Sequence, residues 1–230
     1  MSVDQVTPRS PVVEDYAKAI YSLQDRLGGP VPTTALAERV GVTPGSASAM
    51  VKRLAEQGLV AHAPYHGVEL TPKGERLALE VIRHHRLLEL YLAHELGVPW
   101  DRGHVEAEVL EHVLSEELEE RMAAKLGHPT HDPHGDPIPS AELAVEAVDT
   151  VSLSAMEPGA VGTFSRVSDA DAEMLRYLGE RGISIGDRIE IVSRMPFDGP
   201  VVLRVGSAEH VLGGRLADAM RIKVDRAGST

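Results

Sequence analysis

The sequence predicts a mainly α-helical chain that ends in a small β-barrel. Its three parts are a winged helix-turn-helix over 1–79, a helical domain over 80–148 and a barrel over 149–230. Three observations predict this division. Apolar residues recur at helical spacing from Val13 to Leu126, broken only at Gly- and Pro-containing stretches. Two short helical patterns meet at Gly41-Val42-Thr43-Pro44, with a pair of strand-like runs behind them. After Thr150 the periodicity shortens to β-like runs separated by glycine turns.

Ser10-Pro11 is a helix start, with Ser as N-cap and Pro in the first turn; Val13, Tyr16, Ala17, Ile20 and Leu23 follow at helical spacing to about Arg26, where Gly28-Gly29-Pro30 stops them. Asp15 falls in the first turn, where a negative charge favours the helix by itself. Thr33 or Thr34 opens a short helix with Leu36, Ala37 and Val40, and Thr43-Pro44 begins a second. In the second, Ala47, Met50, Val51 and Leu54 form the buried stripe. Ser46, Ser48, Ala49, Lys52 and Arg53 remain on the outer face. Small hydroxyl residues at the N-terminal end followed by two cations suit a recognition helix in a major groove. The expected DNA contacts are Thr33, Thr43, Pro44, Ser46, Ser48, Ala49, Lys52 and Arg53, with His66 from a wing built by Leu59 to Leu70.

Thr71-Pro72 caps a long helix running to Gly97. The residues His104 to His112 contain no Pro or Gly and predict a further helix reaching about residue 115, followed by Glu116 to Leu126. At roughly 100° per residue, His104, Glu108, Glu111 and His112 fall within an arc of about 100°. Val105 and Val109 border that arc on one side; Ala107, Leu110 and Leu114 line the other. Ionised carboxylates on a packed surface need a partner, and a divalent cation takes oxygen and imidazole donors of this kind. The competing reading is an acidic helix with ordinary surface charge. On the preceding helix His85 and Glu89 stand at i and i+4, as either an intrahelical hydrogen bond or part of a metal site. Together the two helices favour metal. The stretch from Gly127 to Ser140 is rich in Pro, Gly and His, and its prolines favour a turn-fixing role over metal binding. Beyond Thr150, strand-like runs at Gly162–Val167, Arg188–Val192 and Val201–Val205 surround one short helix at about Asp171–Arg181.

Charge is distributed to match. Residues 1–79 hold eight basic and eight acidic residues, 80–147 five and fifteen, and 148–230 ten and twelve. Eight of the eleven histidines lie in that acidic middle third, so cation binding belongs there and DNA contact to the neutral first third. Without cysteine there is no disulfide, thiolate ligand or cysteine nucleophile. No apolar run approaches a membrane span and Met1–Ser10 has no signal-peptide core, so a cytoplasmic protein is expected. The Leu/Val-rich helices over 80–126 carry more apolar surface than they bury among themselves, which assigns them to a homodimer. A dimer would present two recognition helices to a palindromic operator.

This order of elements is similar to the diphtheria-toxin-repressor (DtxR/MntR) family of metal-dependent transcriptional regulators. The resemblance rests on the winged helix-turn-helix, the His85/Glu89 and His104/Glu108/Glu111/His112 pairs, the Pro137-Ile138-Pro139 loop and the C-terminal β domain. It implies an SH3-like (FeoA-like) C-terminal domain and two metal sites per subunit. The primary site maps to Asp15, Glu108, Glu111 and His112. The ancillary site maps to His85, Glu89 and His104, completed from the barrel by Asp169, with Asp171 or Glu173 as alternatives. Iron-responsive members carry Met and Cys where this chain has Asp15 and Glu108; carboxylates there resemble the manganese-responsive branch. Hard oxygen donors shift preference towards Mn(II), although intrinsic affinity order still favours Fe(II). The shorter members of that branch lack the barrel, and Lys18 stands where they place a second carboxylate of a binuclear site. The implied function is a Mn(II)-sensing repressor of metal-uptake genes, with an Fe(II)-dependent repressor as the alternative. Two other classes fit less well. A metallohydrolase lacks an H-E-x-x-H motif and an evident nucleophile here, and a winged-helix regulator answering an organic ligand leaves the His/Glu faces merely structural.

Overall fold

A computed structural model describes residues 10–63, 67–146, 148–169, 171–197 and 199–225; His66 and its expected DNA contact lie outside them. The chain falls into two compact units. The first comprises residues up to His85 with Val109–Leu114 and Pro139–Ala144, and the second comprises Arg86–Glu108, Ser115–Ile138 and the residues from Val145. Among the described residues no helix is long and apolar enough to cross a membrane.

In the first unit, α1 (Pro11–Leu27) begins at an extended Ser10, and Gly28 ends it at φ 69°. Helices α2 (Thr33–Arg39) and α3 (Pro44–Glu56) follow, and the Thr43 hydroxyl accepts the Ser46 amide at 3.2 Å. Strands β1 (Val60–Ala63) and β2 (Gly67–Leu70) pair antiparallel with Val60 opposite Leu70. Ile20, Leu23, Val31, Leu36, Val51, Leu54 and Val68 close one core among these elements. Helix α4 (Pro72–Leu96) then runs unbroken through 25 residues.

The second unit holds most of α5 (Gly103–Leu110), then α6 (Glu116–Lys125), whose first turn is capped by the Ser115 hydroxyl accepting the Leu118 amide at 3.3 Å. Its β portion contains β3 (Val151–Ser152), a 3₁₀ turn at Leu153–Ala155, β4 (Val161–Val167), α7 (Ala172–Glu180), β5 (Arg188–Arg194), β6 (Val201–Val205), β7 (Ala208–Leu212), α8 (Gly214–Ala219) and β8 (Met220–Val224). All pairings are antiparallel, in the order β3-β8-β4-β5-β6-β7. Phe164, Ile189, Ile191, Leu203 and Ile222 fill its core with Leu175 and Leu178 of α7.

Three expectations need correction. The expected barrel is an open six-stranded sheet among the described residues: β3 and β7 are its two ends and do not pair with each other. Bulges after Phe164 and Ile191 curve it, but β3 is only two residues long and α7 and α8 pack against its core instead. The helix expected through residue 112 and on to about 115 stops at Leu110. In a continuing helix the Glu111 carbonyl would accept the Ser115 amide; here it accepts Nδ1–H of His84 at 3.1 Å, and Ser115 turns to cap α6. Glu111 and His112 therefore sit on a turn. Finally, the flank of Val105 and Val109 expected to be packed is bare in the single chain: they are 68% and 70% exposed, and Val113 beyond them is 76% exposed.

Candidate functional site

Two clusters of carboxylates and imidazoles stand out, one in each unit. In the first unit α1 contributes Glu14, Asp15 and Lys18, and the turn after α5 contributes Glu111 and His112. His112 Nε2 lies 3.0 Å from Asp15 Oδ1 and 3.6 Å from Glu111 Oε1. Asp15, Glu111 and His112 each offer a ligand atom within 4.8 Å of the others. Glu14 takes the opposite ring nitrogen, 2.6 Å from His112 Nδ1, so the carboxylate orients the ring and leaves Nε2 turned towards Asp15. Glu111 has no exposed side-chain surface. Its Oε2 accepts His85 Nδ1 at 2.5 Å, and its Oε1 accepts the Lys18 ammonium at 2.6 Å. This donor set, all oxygen and nitrogen with an excess of carboxylates, fits a hard or borderline divalent cation. Helix amphipathicity accounts for the α1 half: Tyr16, Ala17 and Ile20 are buried in the core, which turns Glu14, Asp15 and Lys18 outwards from it.

In the second unit Glu89 of α4, His104 of α5 and Asp169 after β4 converge within 4.8 Å. His104 Nδ1 lies 3.1 Å from Asp169 Oδ2 and 3.3 Å from Glu89 Oε1. Hydrogen bonds to Asp169 and then Glu89 raise the His104 pKa to about 10. Burial pushes the Asp169 carboxyl up, but the hydrogen bond to His104 and the charges of His104 and His134 together lower it below its ordinary value. Among the candidate carboxylates of the β portion, Asp169 faces the cluster, whereas Asp171 caps α7 by accepting the Glu173 amide. Glu108 stands with this unit, its Oε1 3.7 Å from His104 Nε2. Sequence reasoning missed Glu14, which adjoins Asp15 in the first turn, and also the loop pair Asp132 and His134. These two join Glu89 in a second fully buried group within 4.8 Å. His134 is 1% exposed, with Nε2 on the Trp100 carbonyl at 2.8 Å and Nδ1 3.6 Å from Glu89 Oε2. Burial pulls its pKa down, but the Glu89 carboxylate outweighs it and raises it to about 9. Burial, reinforced by Asp136, lifts Asp132 to about 7. Without an ion, protonated imidazoles supply the positive charge these carboxylates require, which is the role a divalent cation fits.

The expected DNA face is present as geometry. Thr43, Pro44, Ser46, Ser48, Ala49, Lys52 and Arg53 are all exposed on or beside α3, and Thr33 is half-buried at the start of α2. The hydroxyls at its start are held in place: Thr43 Oγ1 is 2.9 Å from Ser46 Oγ, and Ser48 donates to the Pro44 carbonyl at 2.8 Å.

Comparison with known proteins places the chain in a family. Residues 10–68 match the iron-dependent repressor N-terminal DNA-binding domain, 71–140 the iron-dependent repressor metal-binding and dimerisation domain, and 151–224 the FeoA domain. The iron-dependent repressor IdeR of Mycobacterium tuberculosis is 31% identical over 223 residues, 91% of this chain and 96% of IdeR. The diphtheria toxin repressor of Corynebacterium efficiens is 32% identical over 92% of this chain and 95% of its own. A solved structure described as a manganese-dependent transcriptional repressor complex with manganese is 44% identical, with a TM-score of 0.85 over 92% of this chain and 99% of that one. The manganese regulator SloR is 30% identical with a TM-score of 0.75, covering 94% of this chain and all of its own, 100%. The chain belongs to the diphtheria-toxin-repressor family of metal-dependent transcriptional repressors, which bind DNA and are not enzymes.

Proposed function

We propose that this repressor senses Mn(II) through Asp15, Glu108, Glu111 and His112 and controls metal-uptake genes. In this reading it acts in the cytoplasm as a homodimer on a palindromic operator. The observation that carries the reading is His112 Nε2 lying 3.0 Å from Asp15 beside buried Glu111, a set of oxygen and nitrogen donors with no sulfur. Residues 1–79 are proposed as the DNA-binding domain, 80–148 as the metal-binding and dimerisation domain and 149–230 as the SH3-like domain. A second metal site per subunit is assigned to Glu89, His104 and Asp169 with His85, one turn before Glu89 on α4; Asp132 and His134 extend its donor set at Glu89.

Asp15 on α1 and Glu111 and His112 on the turn would hold a divalent cation within the first unit, and the ion would supply a cross-link between the two. Asp15 holds the α1 end, Glu111 and His112 hold the turn, and Glu14 fixes which His112 nitrogen faces inwards. Because α1 packs in the same core as α3 and β2, fixing α1 favours one setting of the recognition helix. Metal and DNA must then strengthen each other's binding. The exposed valines at 105, 109 and 113 are the surface assigned to the dimer.

An anaerobic gel-shift on promoters of metal transporters, titrated with Mn(II) and Fe(II) in parallel, tests the reading. Half-saturation by Mn(II) at its cellular free concentration, with Fe(II) ineffective at its own, is expected. Equal binding in chelator would overturn it. Fe(II) acting at its cellular concentration would favour the second reading, which the IdeR relatives support. Lys52→Ala is expected to weaken binding to all operators alike and to lower the slope of log affinity against log salt by about 1, as removal of one phosphate contact should. An unchanged slope would remove Lys52 from the interface.

A further inference from the structure

We propose that Lys18 is a resident cation of the Asp15–Glu111–His112 site. It competes with a divalent ion for Glu111 and thereby sets the free-metal concentration at which the site fills. The proposal rests on the metal reading of that site. Lys18 lies three residues after Asp15 and four after Glu14, on one side of α1. Its ammonium is 2.6 Å from Glu111 Oε1, and its side chain is 16% exposed against none for Glu111. That same oxygen is 3.6 Å from His112 Nε2, the nitrogen facing Asp15. The ammonium thus sits on the oxygen a divalent ion would take.

A buried carboxylate needs a counter-charge, and Lys18 supplies one without any ion. An ion taking Glu111 Oε1 displaces a competitor tethered to the same helix as Asp15, present at high effective concentration. Even displaced, the ammonium remains close enough to repel a divalent charge in a shielded site. Both effects weaken metal binding. A purely structural ion pair would stabilise the fold and leave metal affinity unchanged or improve it by positioning Glu111.

The test is Mn(II) affinity of the full-length dimer without DNA, by competition with a chelating dye, in a Glu89→Gln background that silences the second cluster. Lys18→Met keeps length and removes charge, and it is expected to tighten Mn(II) binding by about tenfold. Lys18→Gln keeps a donor to Glu111 without charge and should do the same, which covers a folding failure of the first variant. Lys18→Arg keeps the charge and should stay near the parent value. Metal-free Lys18→Met should melt lower than the parent and regain the deficit when Mn(II) is added. Unchanged or weaker binding in both uncharged variants overturns the proposal. Asp15→Ala separates the two levels: if it abolishes binding while the Lys18 variants bind no tighter, only the Lys18 role falls. If Asp15→Ala leaves affinity unchanged, the site reading falls and this proposal with it.

Discussion

Asp15→Ala is expected to remove the metal dependence of operator binding while the dimer still folds. In the presence of Mn(II), operator affinity should drop to the metal-free level, a loss of about 100-fold, or about 2.7 kcal/mol, at the upper end of ordinary coupling energies. The direction follows from where Asp15 sits. It is the α1 carboxylate nearest His112 Nε2, whereas Glu14 is engaged on Nδ1. Without it the site loses its α1 ligand and with it the ion, so metal no longer reports to the recognition helix. Folding should survive because the Asp15 side chain is 44% exposed, outside the Ile20–Leu23 core. Glu111 is a poorer choice for the same test. Its removal strands the Lys18 ammonium and His85 together, a loss of about 3 kcal/mol that would confound any binding result. The assay is an operator titration with and without Mn(II), accompanied by gel filtration and thermal unfolding of the variant. An Asp15→Ala dimer that still tightens on DNA when Mn(II) is added would refute the cross-link.

Local chemistry made much of the fold readable in advance. Thr43-Pro44 starts α3 and Gly28 ends α1 because N-caps, a first-turn proline and a left-handed glycine act within a few residues. The alternation in residues 188–192 and 201–205 likewise reports strands with one buried face. The site was legible in residue types but less so in geometry. Helical periodicity carried His104 to His112 along one helix, yet α5 ends at Leu110, because His84 takes the Glu111 carbonyl from 27 residues away. No local window contains that bond. The same limit hid the partner of Lys18: the resemblance singled that residue out, but only the turn brings Glu111 to it across 93 residues. Sheet closure is also a long-range property: each strand is visible locally, but whether β3 meets β7 is decided by the lengths and bulges of all the strands between them.

Gly135→Ala is expected to be the most damaging small substitution in the second unit. The loop that contains it is held together by hydrogen bonds through Asp132. The buried Asp132 carboxylate accepts the amides of His134 at 2.8 Å and Asp136 at 2.9 Å, and the Asp132 amide returns to the Asp136 carbonyl at 3.0 Å. The Val167 amide donates to the His134 carbonyl at 2.9 Å, which ties the loop to β4 beside its bulge. Gly135 has φ 84°, and a Cβ there would stand 1.9 Å from the Ser165 carbonyl oxygen and 3.0 Å from Arg166 Cα, both backbone. Neither side can yield without lifting the loop off the sheet, so a loss of about 3 kcal/mol or more is expected in denaturant unfolding. Gly127→Ala is the matched control. Its φ is 76° but no atom lies within 4 Å of the added methyl, so only the backbone term of about 1–2 kcal/mol should appear. If the two variants unfold alike, close approach to β4 is not what selects glycine at 135. His134 is the adjoining residue and faces Glu89. Gly135→Ala should therefore also weaken metal binding at the Glu89 cluster while leaving the Asp15 site intact, whereas Gly127→Ala should change neither.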